Sequence, residues 1–184
     1  GHIETSRLTH LSVAEGEIEK LVNLDGPPRE VIRRDDEVRC YYPDAKVVRI
    51  EPRTFRNAFP SLSAQQQKAL GDFYEFRKAE PGRVAGIETQ AWVFEPKDGL
   101  RYGHKFWADP VSGLLVKARI FDERNEVVEQ FAFTEISIGL TIDREMVKPT
   151  WPVVPPDWQV RQSGPGDGEA KETGWTVSRL PPGF

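Results

Sequence analysis

The chain has 184 residues, a formal net charge of -4 and a single cysteine. This length is enough for one well-packed core, or for one domain plus part of a second. The acidic balance argues against nucleic acid as a partner, because nucleic-acid-binding domains usually carry a basic surplus along one face. One cysteine, Cys40, excludes an intramolecular disulfide and a multi-cysteine zinc site. No apolar run approaches membrane-spanning length.

The first part of the chain predicts short antiparallel hairpins. Apolar and polar residues alternate in 3–11 and again in 17–24, which is typical of half-buried strands. Turn residues at 25–28 and 35–36 then separate three further candidate strands. These strands are expected at 30–34, 37–42 and 46–51. We therefore predict one antiparallel sheet that continues into the later strands.

The period changes near the middle of the chain, where a helix is predicted. Ser63 can cap its N-terminus, Gln66 completes a capping box, and Gly71 is a natural stop. Leu70 and Phe73 fall on its apolar side. A sheet with one apolar face must be covered, so we expect this short helix to lie across the concave face.

Residues 84–138 predict a four-stranded antiparallel meander. The strand segments are 84–96, 101–109, 113–122 and 126–138, and the turns between them contain Gly, Pro, Asn and Asp. A two-residue primed turn at 98–99 would place Trp92 opposite Lys105 and Val93 opposite His104. The same reasoning at the next two turns pairs Trp107 with Val116, and Arg119 with Glu129, with Asn125 as a left-handed bulge residue.

This register sorts the side chains onto two faces. We interpret one face as covered and concave, with Lys105 and Gln130 as its polar exceptions; its apolar members are Trp92, Phe94, Trp107, Val116, Ala118, Ile120, Val128, Ala132 and Ile136. The opposite face mixes charges with aromatic residues, and its members are Tyr102, His104, Phe106, Lys117, Arg119, Phe121, Glu129, Phe131 and Phe133. An aromatic-rich apolar face is either ordinary core or a ligand site, and composition alone favours core.

The composition shifts again after residue 138. Residues 151–158 are rich in proline and tryptophan, and 163–174 are rich in glycine and acid, which is typical of a linker. We predict a domain at 1–150, a linker at 151–174 and the start of a second, truncated domain at 175–184. The fold class is predicted to be mainly β (α+β), a large unclosed antiparallel barrel or curved sheet with a few short helices.

No catalytic or metal-binding arrangement is evident, and no cofactor is predicted. His10 and His104 lie within predicted strands, far from any nucleophile motif. Cys40 is more typical of a small packed side chain than of a reactive thiol. The carboxylates are concentrated in turns, where solvated acids are common.

Five stretches of the sequence resemble the MucB/RseB family. They are LVNLDGPPREVIR at 21–33, FPSL at 59–62, FYEF at 73–76, EQF at 129–131 and LPPGF at 180–184. The resemblance implies a non-enzymatic, periplasmic regulator whose N-terminal domain is a half-barrel like those of the lipoprotein carriers LolA and LppX. It further implies that the protein binds the periplasmic domain of an anti-sigma factor, protects it from regulated proteolysis, and senses lipid-like signals of envelope stress.

Two candidate sites follow from this resemblance and from the predicted faces. An acyl chain is expected in an apolar pocket lined by Trp92, Phe94, Trp107, Val116, Ile120 and Val128, with Leu70 and Phe73 from the cover. The anti-sigma factor is expected at a basic group formed by Arg29, Arg33, Arg34 and Arg39, although charge alone favours the simpler interpretation of these arginines as a solvated strand face. A lipid or lipoprotein carrier is the alternative function, and a homodimer is left open.

Overall fold

The computed structural model describes residues 1–14, 16–52, 70–162 and 180. Within these residues the fold is mainly β, with two sheets that are both antiparallel-rich and neither closed into a barrel. The predicted fold class is thus confirmed. The chain divides into two compact units, Gly1–Phe59 with Leu140–Trp175, and Pro60–Gly139 with Thr176–Phe184. Each unit contains one sheet.

The described residues form these strands: β1 Ser6–Val13, β2 Gly16–Asn23, β3 Glu30–Arg34, β4 Glu37–Tyr42, β5 Val47–Pro52, β6 Tyr74–Val84, β7 Ile87–Pro96, β8 Gly103–Ala108, β9 Leu115–Phe121, β10 Val127–Ala132 and β11 Gln159–Gln162. The first sheet has the order β1-β2-β3-β4-β5-β11, and the second has the order β10-β9-β8-β7-β6. All the neighbouring pairs are antiparallel except β5 and β11, which are parallel.

The core of the first unit lies on one face of its sheet. Ile32, Tyr41 and Val48 are buried there, because a segment that follows the 3-10 helix Arg144–Val147 packs over them. This segment contributes Trp151, Val154 and Trp158 to the same cluster. Residues 151–162, predicted as part of a linker, instead pack against the sheet and add β11 to it; residues 163–174 lie outside the described part.

A buried carboxylate holds the start of this segment. The side chain of Glu30 is 3% exposed and accepts hydrogen bonds from the amide of Thr150 at 2.8 Å and from its hydroxyl at 2.5 Å. The ammonium of Lys20 lies 3.1 Å from the same carboxylate and donates to the carbonyl of Lys148 at 2.7 Å. Because a buried charge must be paired, these contacts fix the segment onto β2 and β3.

The second sheet contains a hairpin that the sequence analysis missed. Residues 84–96 were predicted as one strand, but Ala85 and Gly86 have φ angles of 48° and 82° and form a tight turn between β6 and β7. Strand β6 was overlooked because its Pro81-Gly82 pair is typical of a loop. A register shift between Ala79 and Gly82 accommodates that pair inside the strand.

The predicted register of β7 with β8 is wrong by one residue. A primed turn requires positive φ at its first central residue or at both, and neither Asp98 nor Gly99 has it. The carboxylate of Asp98 instead accepts a hydrogen bond from the amide of Leu100 at 3.0 Å and widens the loop. As a result, Trp92 lies opposite Phe106, not Lys105.

Bulges displace the other two predicted pairings by the same amount. Asn125 has the expected left-handed conformation, with φ 63°. The strands then shift by one residue between Val127 and Glu129, so that Arg119 lies opposite Gln130. A similar shift at the start of β9 places Trp107 opposite Lys117. Each one-residue shift moves side chains to the other face of the sheet.

The predicted helix falls mostly outside the described residues, including its proposed caps Ser63 and Gln66. Residues 70–73 are helical. Gly71 therefore does not end the helix, which continues to Phe73, directly before β6.

Candidate functional site

The observed register collects aromatic side chains on one face of the second sheet. One row across the strands contains Trp92, Phe106, Ala118 and Phe131, and the next contains Phe76, Phe94, His104 and Ile120. Tyr74 lies at the end of β6, where its ring is 5.9 Å from that of His104. We call these nine residues the aromatic face.

The rings of the aromatic face form a continuous series of contacts. Phe94 packs edge-to-face on Phe76 at 4.8 Å and on Phe106 at 5.0 Å between ring centroids. His104 stacks on Phe106 at 5.7 Å. These are the offset and T-shaped geometries that aromatic pairs prefer. The sheet therefore presents an ordered, mainly apolar surface, with the charged residues Lys78 and Glu129 at its two outer strands.

This surface is only partly covered. Phe76 is 46% exposed, Trp92 is 43% exposed and Phe131 is 41% exposed. Large aromatic side chains in a finished core are normally almost inaccessible, and exposed apolar patches of this kind commonly mark an interaction or ligand site. The aromatic face is thus the strongest candidate site among the described residues.

Of the six strand residues predicted to line the pocket, three lie on the aromatic face and three do not. Trp92, Phe94 and Ile120 share it. Trp107 and Val116 belong to the buried cluster that also contains Val84 and Ala91, and Trp107 points to the opposite face from Trp92. The assignment of Trp107 to a common face with Trp92 is wrong, because the register differs by one residue. Val128 lies at the register shift in β10 and is 55% exposed.

The two predicted cover residues are half-buried at the start of the second unit. The ring of Phe73 has the guanidinium of Arg101 4.1 Å from its centroid, and Leu70 opens the described part of the helix. The amide of Lys97 donates to the carbonyl of Phe73 at 2.8 Å, which ties the helix end to the β7–β8 loop.

His104 brings a titratable group into the aromatic face. Burial lowers the pKa of this imidazole from its usual value, because the low-dielectric surroundings disfavour the charged form. The ring lies between the aromatic rings of Tyr74 and Phe106. Above its lowered pKa it is neutral, which keeps the surface apolar.

An open cavity of about 680 Å³ lies at the end of the second sheet where the β7–β8 and β9–β10 loops meet. Its lining combines the charged residues Arg77, Glu95, Asp98 and Lys105 with apolar ones. Of the predicted pocket residues, only Phe94 lines it.

The four arginines predicted to contact a partner do not form one patch. Each has an acidic neighbour; the pairs are Arg29 with Glu4, Arg33 with Glu19, Arg34 with Asp35, and Arg39 with Glu37. Arg33 lies opposite Val38 and Arg39 lies opposite Ile32, so these two side chains point to different faces of the sheet. Their convergence was predicted from spacing along the chain, which does not report the face.

Neither catalysis nor metal binding is indicated by side-chain grouping. Within residues 1–14, 16–52 and 70–162, no three His, Cys, Asp or Glu side chains are placed to hold a metal ion. Burial raises the pKa of the Cys40 thiol, which disfavours the reactive thiolate. Among the described helices, none has the length and hydropathy needed to cross a membrane.

Comparison with known proteins gives a consistent assignment. Residues 1–151 match the model of the MucB/RseB N-terminal domain. The sigma-E factor regulatory protein RseB of Escherichia coli K12 is 26% identical over 182 residues, covering 99% of this chain and 56% of the relative. The sigma factor AlgU regulatory protein MucB of Pseudomonas aeruginosa PAO1 is 28% identical over 192 residues, covering 100% of this chain and 55% of the relative.

The solved structures agree with these sequence matches. In the Pseudomonas aeruginosa MucA/MucB complex, the similar chain superposes with a TM-score of 0.67 at 24% identity, over 100% of this chain and 58% of that one. A second crystal structure, of MucB in complex with MucA(peri), gives 0.62 at 25% identity over 81% of this chain and 50% of that one. The chain therefore has the β-sheet fold of these MucB structures.

The chain belongs to the MucB/RseB family. It spans about half the length of the curated relatives that it matches.

Proposed function

We propose that the chain is part of a periplasmic, non-enzymatic regulator that binds the periplasmic domain of an anti-sigma factor. It protects that domain from regulated proteolysis and senses lipid-like signals of envelope stress on its aromatic face. The names of its relatives as sigma-factor regulatory proteins, and the MucB structures with MucA, support the first part. The partial exposure of Phe76, Trp92 and Phe131 supports the second.

Acyl binding to the aromatic face has a plain energetic basis. Each methylene buried against the rings contributes about 0.8 kcal/mol, offset by the cost of immobilising the ligand. A lipid that prefers one arrangement of the face shifts the population by its differential affinity for that arrangement. Release of the anti-sigma factor then follows by linkage between the two binding events.

The first experiment titrates the 184-residue chain with a fluorescent long-chain acyl probe. We expect saturable binding that is lost in Ile120→Asp, because an uncompensated carboxylate in the middle of the aromatic face opposes acyl burial. Val93→Asp is the matched control. Val93 lies on the other face between Arg77 and Lys105, which can pair with the new charge. Equal loss in both folded variants, or no binding by the parent chain, would remove the aromatic face as a lipid site.

A second experiment addresses the partner. The purified periplasmic domain of the cognate anti-sigma factor is exposed to its initiating protease with and without the chain. We expect slower cleavage with the chain present, and faster cleavage again when the acyl probe is added. A lipoprotein carrier would instead bind the probe, leave cleavage unchanged and pass the probe to an acceptor. Sedimentation of the same samples tests for the homodimer that the sequence leaves open, which a single species of monomer mass would exclude.

A further inference from the structure

Three cations surround one indole ring on the face of the second sheet opposite the aromatic face. The ammonium groups of Lys105 and Lys117 lie 4.9 and 4.8 Å from the ring centroid of Trp107, and the guanidinium of Arg119 lies 5.6 Å from it. We call these four residues the Trp107 cluster. Cation–π contacts hold the cations in place but leave their charge intact.

The charge of this cluster is not neutralised within the described part of the chain. No carboxylate lies within ion-pair distance of Lys105, Lys117 or Arg119 among residues 1–14, 16–52 and 70–162, and Arg119 donates instead to the neutral side chain of Gln130 at 2.6 Å. Burial, together with repulsion from Arg119 and Lys105, lowers the pKa of Lys117. Like charges held this close oppose one another, so a bound anion would relieve repulsion.

The cluster lies beside an outer strand. Strand β10 is at the end of the second sheet, pairs with β9 on one side, and has all six residues exposed. Over the described residues, no strand pairs with its other side. An exposed outer strand offers unpaired amide and carbonyl groups to an extended peptide. Ala132 of β10 lies opposite Lys117 of β9, so the side chain of β10 at this position is a single methyl group.

The two sides of β10 differ in chemistry. Gln130 and Ala132 share the face of the Trp107 cluster, whereas Phe131 lies on the aromatic face and is 41% exposed. The acidic residues nearest to this edge are Asp122, Glu123 and Glu126, which precede β10, and Glu129, which lies opposite Ile120 on the aromatic face and not on the face of the Trp107 cluster. A peptide strand added here would place alternate side chains beside cations and beside aromatic rings.

The geometry points to the free edge of β10 as a docking site for an extended peptide in which acidic and apolar residues alternate. Main-chain hydrogen bonds to β10 supply affinity, the Trp107 cluster binds the carboxylates, and Phe131 contacts the apolar side chains. This surface shares Phe131 with the aromatic face, but the Trp107 cluster lies on the opposite face of the sheet, and peptide binding is measured without the acyl probe.

The test uses a fluorescent ten-residue peptide of alternating Glu and Val, with binding to the full 184-residue chain followed by polarisation. We expect saturable binding that weakens as salt is raised. A peptide of the same composition in two blocks, Glu then Val, is expected to bind about tenfold more weakly, because it cannot match both faces. The alternating peptide with N-methyl groups at every second residue is expected to lose about as much affinity. Its methylated amides cannot donate main-chain hydrogen bonds to the edge of β10.

Variants of the chain separate charge from fold. Lys117→Gln with Arg119→Gln is expected to weaken the alternating peptide at least about tenfold. Ala132→Glu is a gentler variant, since it places a carboxylate opposite Lys117 at an exposed position; we expect the same loss with an unchanged melting temperature. Lys78→Gln is the matched control. Lys78 lies opposite Trp92 and therefore on the aromatic face, away from the Trp107 cluster. We expect it to change binding less than twofold.

Three results would overturn the inference. The first is binding of the alternating peptide that survives Ala132→Glu. The second is equal binding of the N-methylated peptide, which would contradict pairing with β10. The third is absence of peptide binding together with cluster-dependent binding of phosphatidylglycerol vesicles, which would assign the Trp107 cluster to phosphate headgroups instead.

Discussion

The two sheets carry aromatic residues in different states of cover. In the first unit, Tyr41 stacks on Trp151 at 5.9 Å and is 1% exposed, because the segment after the 3-10 helix closes over it. In the second unit, Phe76 and Trp92 remain nearly half exposed although their neighbours form equally regular contacts. Aromatic content alone therefore does not separate core from site. In the first unit the burial of Tyr41 comes from the segment that packs over it.

The largest effect is expected at the point where that covering segment is fixed. Glu30→Ala leaves Lys20 without its buried partner and the amide of Thr150 without an acceptor. We expect a loss of about 3 kcal/mol in the free energy of unfolding, measured by urea denaturation.

Glu37→Ala is the control for this prediction. Glu37 pairs with Arg39 at the surface, and exposed ion pairs contribute about 0–1 kcal/mol. If Glu30→Ala lowers the free energy of unfolding no more than Glu37→Ala does, the buried carboxylate does not hold the segment in place.

The difference between the covered core of the first unit and the aromatic face can be measured by replacing one tryptophan in each. Trp151→Ala removes a ring packed on Tyr41 and Trp158, and we expect a loss of about 2–3 kcal/mol. Trp92→Ala removes a ring that is 43% exposed, and we expect about 1 kcal/mol or less. Both are measured by urea denaturation. Equal losses would mean that the aromatic face is as fully packed as the core of the first unit.

The smallest expected effect is a change of stability with pH that depends on His104 in the aromatic face. Burial lowers the folded-state pKa of His104 below its unfolded value near 6.5. The unfolded chain therefore binds this proton more readily, and stability falls as pH decreases through the region below 6.5. We expect the parent chain to lose more stability between pH 7.5 and 5.5 than His104→Phe, with thermal melting as the measurement. Parallel pH profiles would contradict a buried, neutral imidazole.

Local sequence signals were sufficient for much of the fold. The bounds of β3 and β4 were predicted correctly, because Asp35 and its neighbours mark a tight turn between two clear alternating strands. The left-handed Asn125 was also predicted. Strand β11 was not, because a parallel partner for β5 from more than a hundred residues away leaves no local pattern.

The candidate site was predicted less well, for a physical reason. Strand side chains alternate with period two, so each unrecognised bulge or wide loop exchanges the faces. The sequence contained evidence against the predicted register, because Lys105 and Gln130 were polar exceptions on the face predicted to be covered. In the structure both lie with Trp107 on the side opposite Trp92, and the aromatic face gains Phe106 and Phe131. Polar residues on a face predicted to be covered favour a strand register that differs by one residue.

The parallel pairing of β11 with β5 has a consequence for the order in which the protein folds. The first unit is assembled from two distant stretches of chain, whereas the second is dominated by one contiguous stretch, Pro60–Gly139. During synthesis or export from the N-terminus, the contiguous meander can form its local hairpins while Ile32 and Val48 still await their cover. A nascent chain halted after residue 139 lacks Trp151, Val154 and Trp158, so that apolar surface stays uncovered until the C-terminal stretch of the first unit has been made.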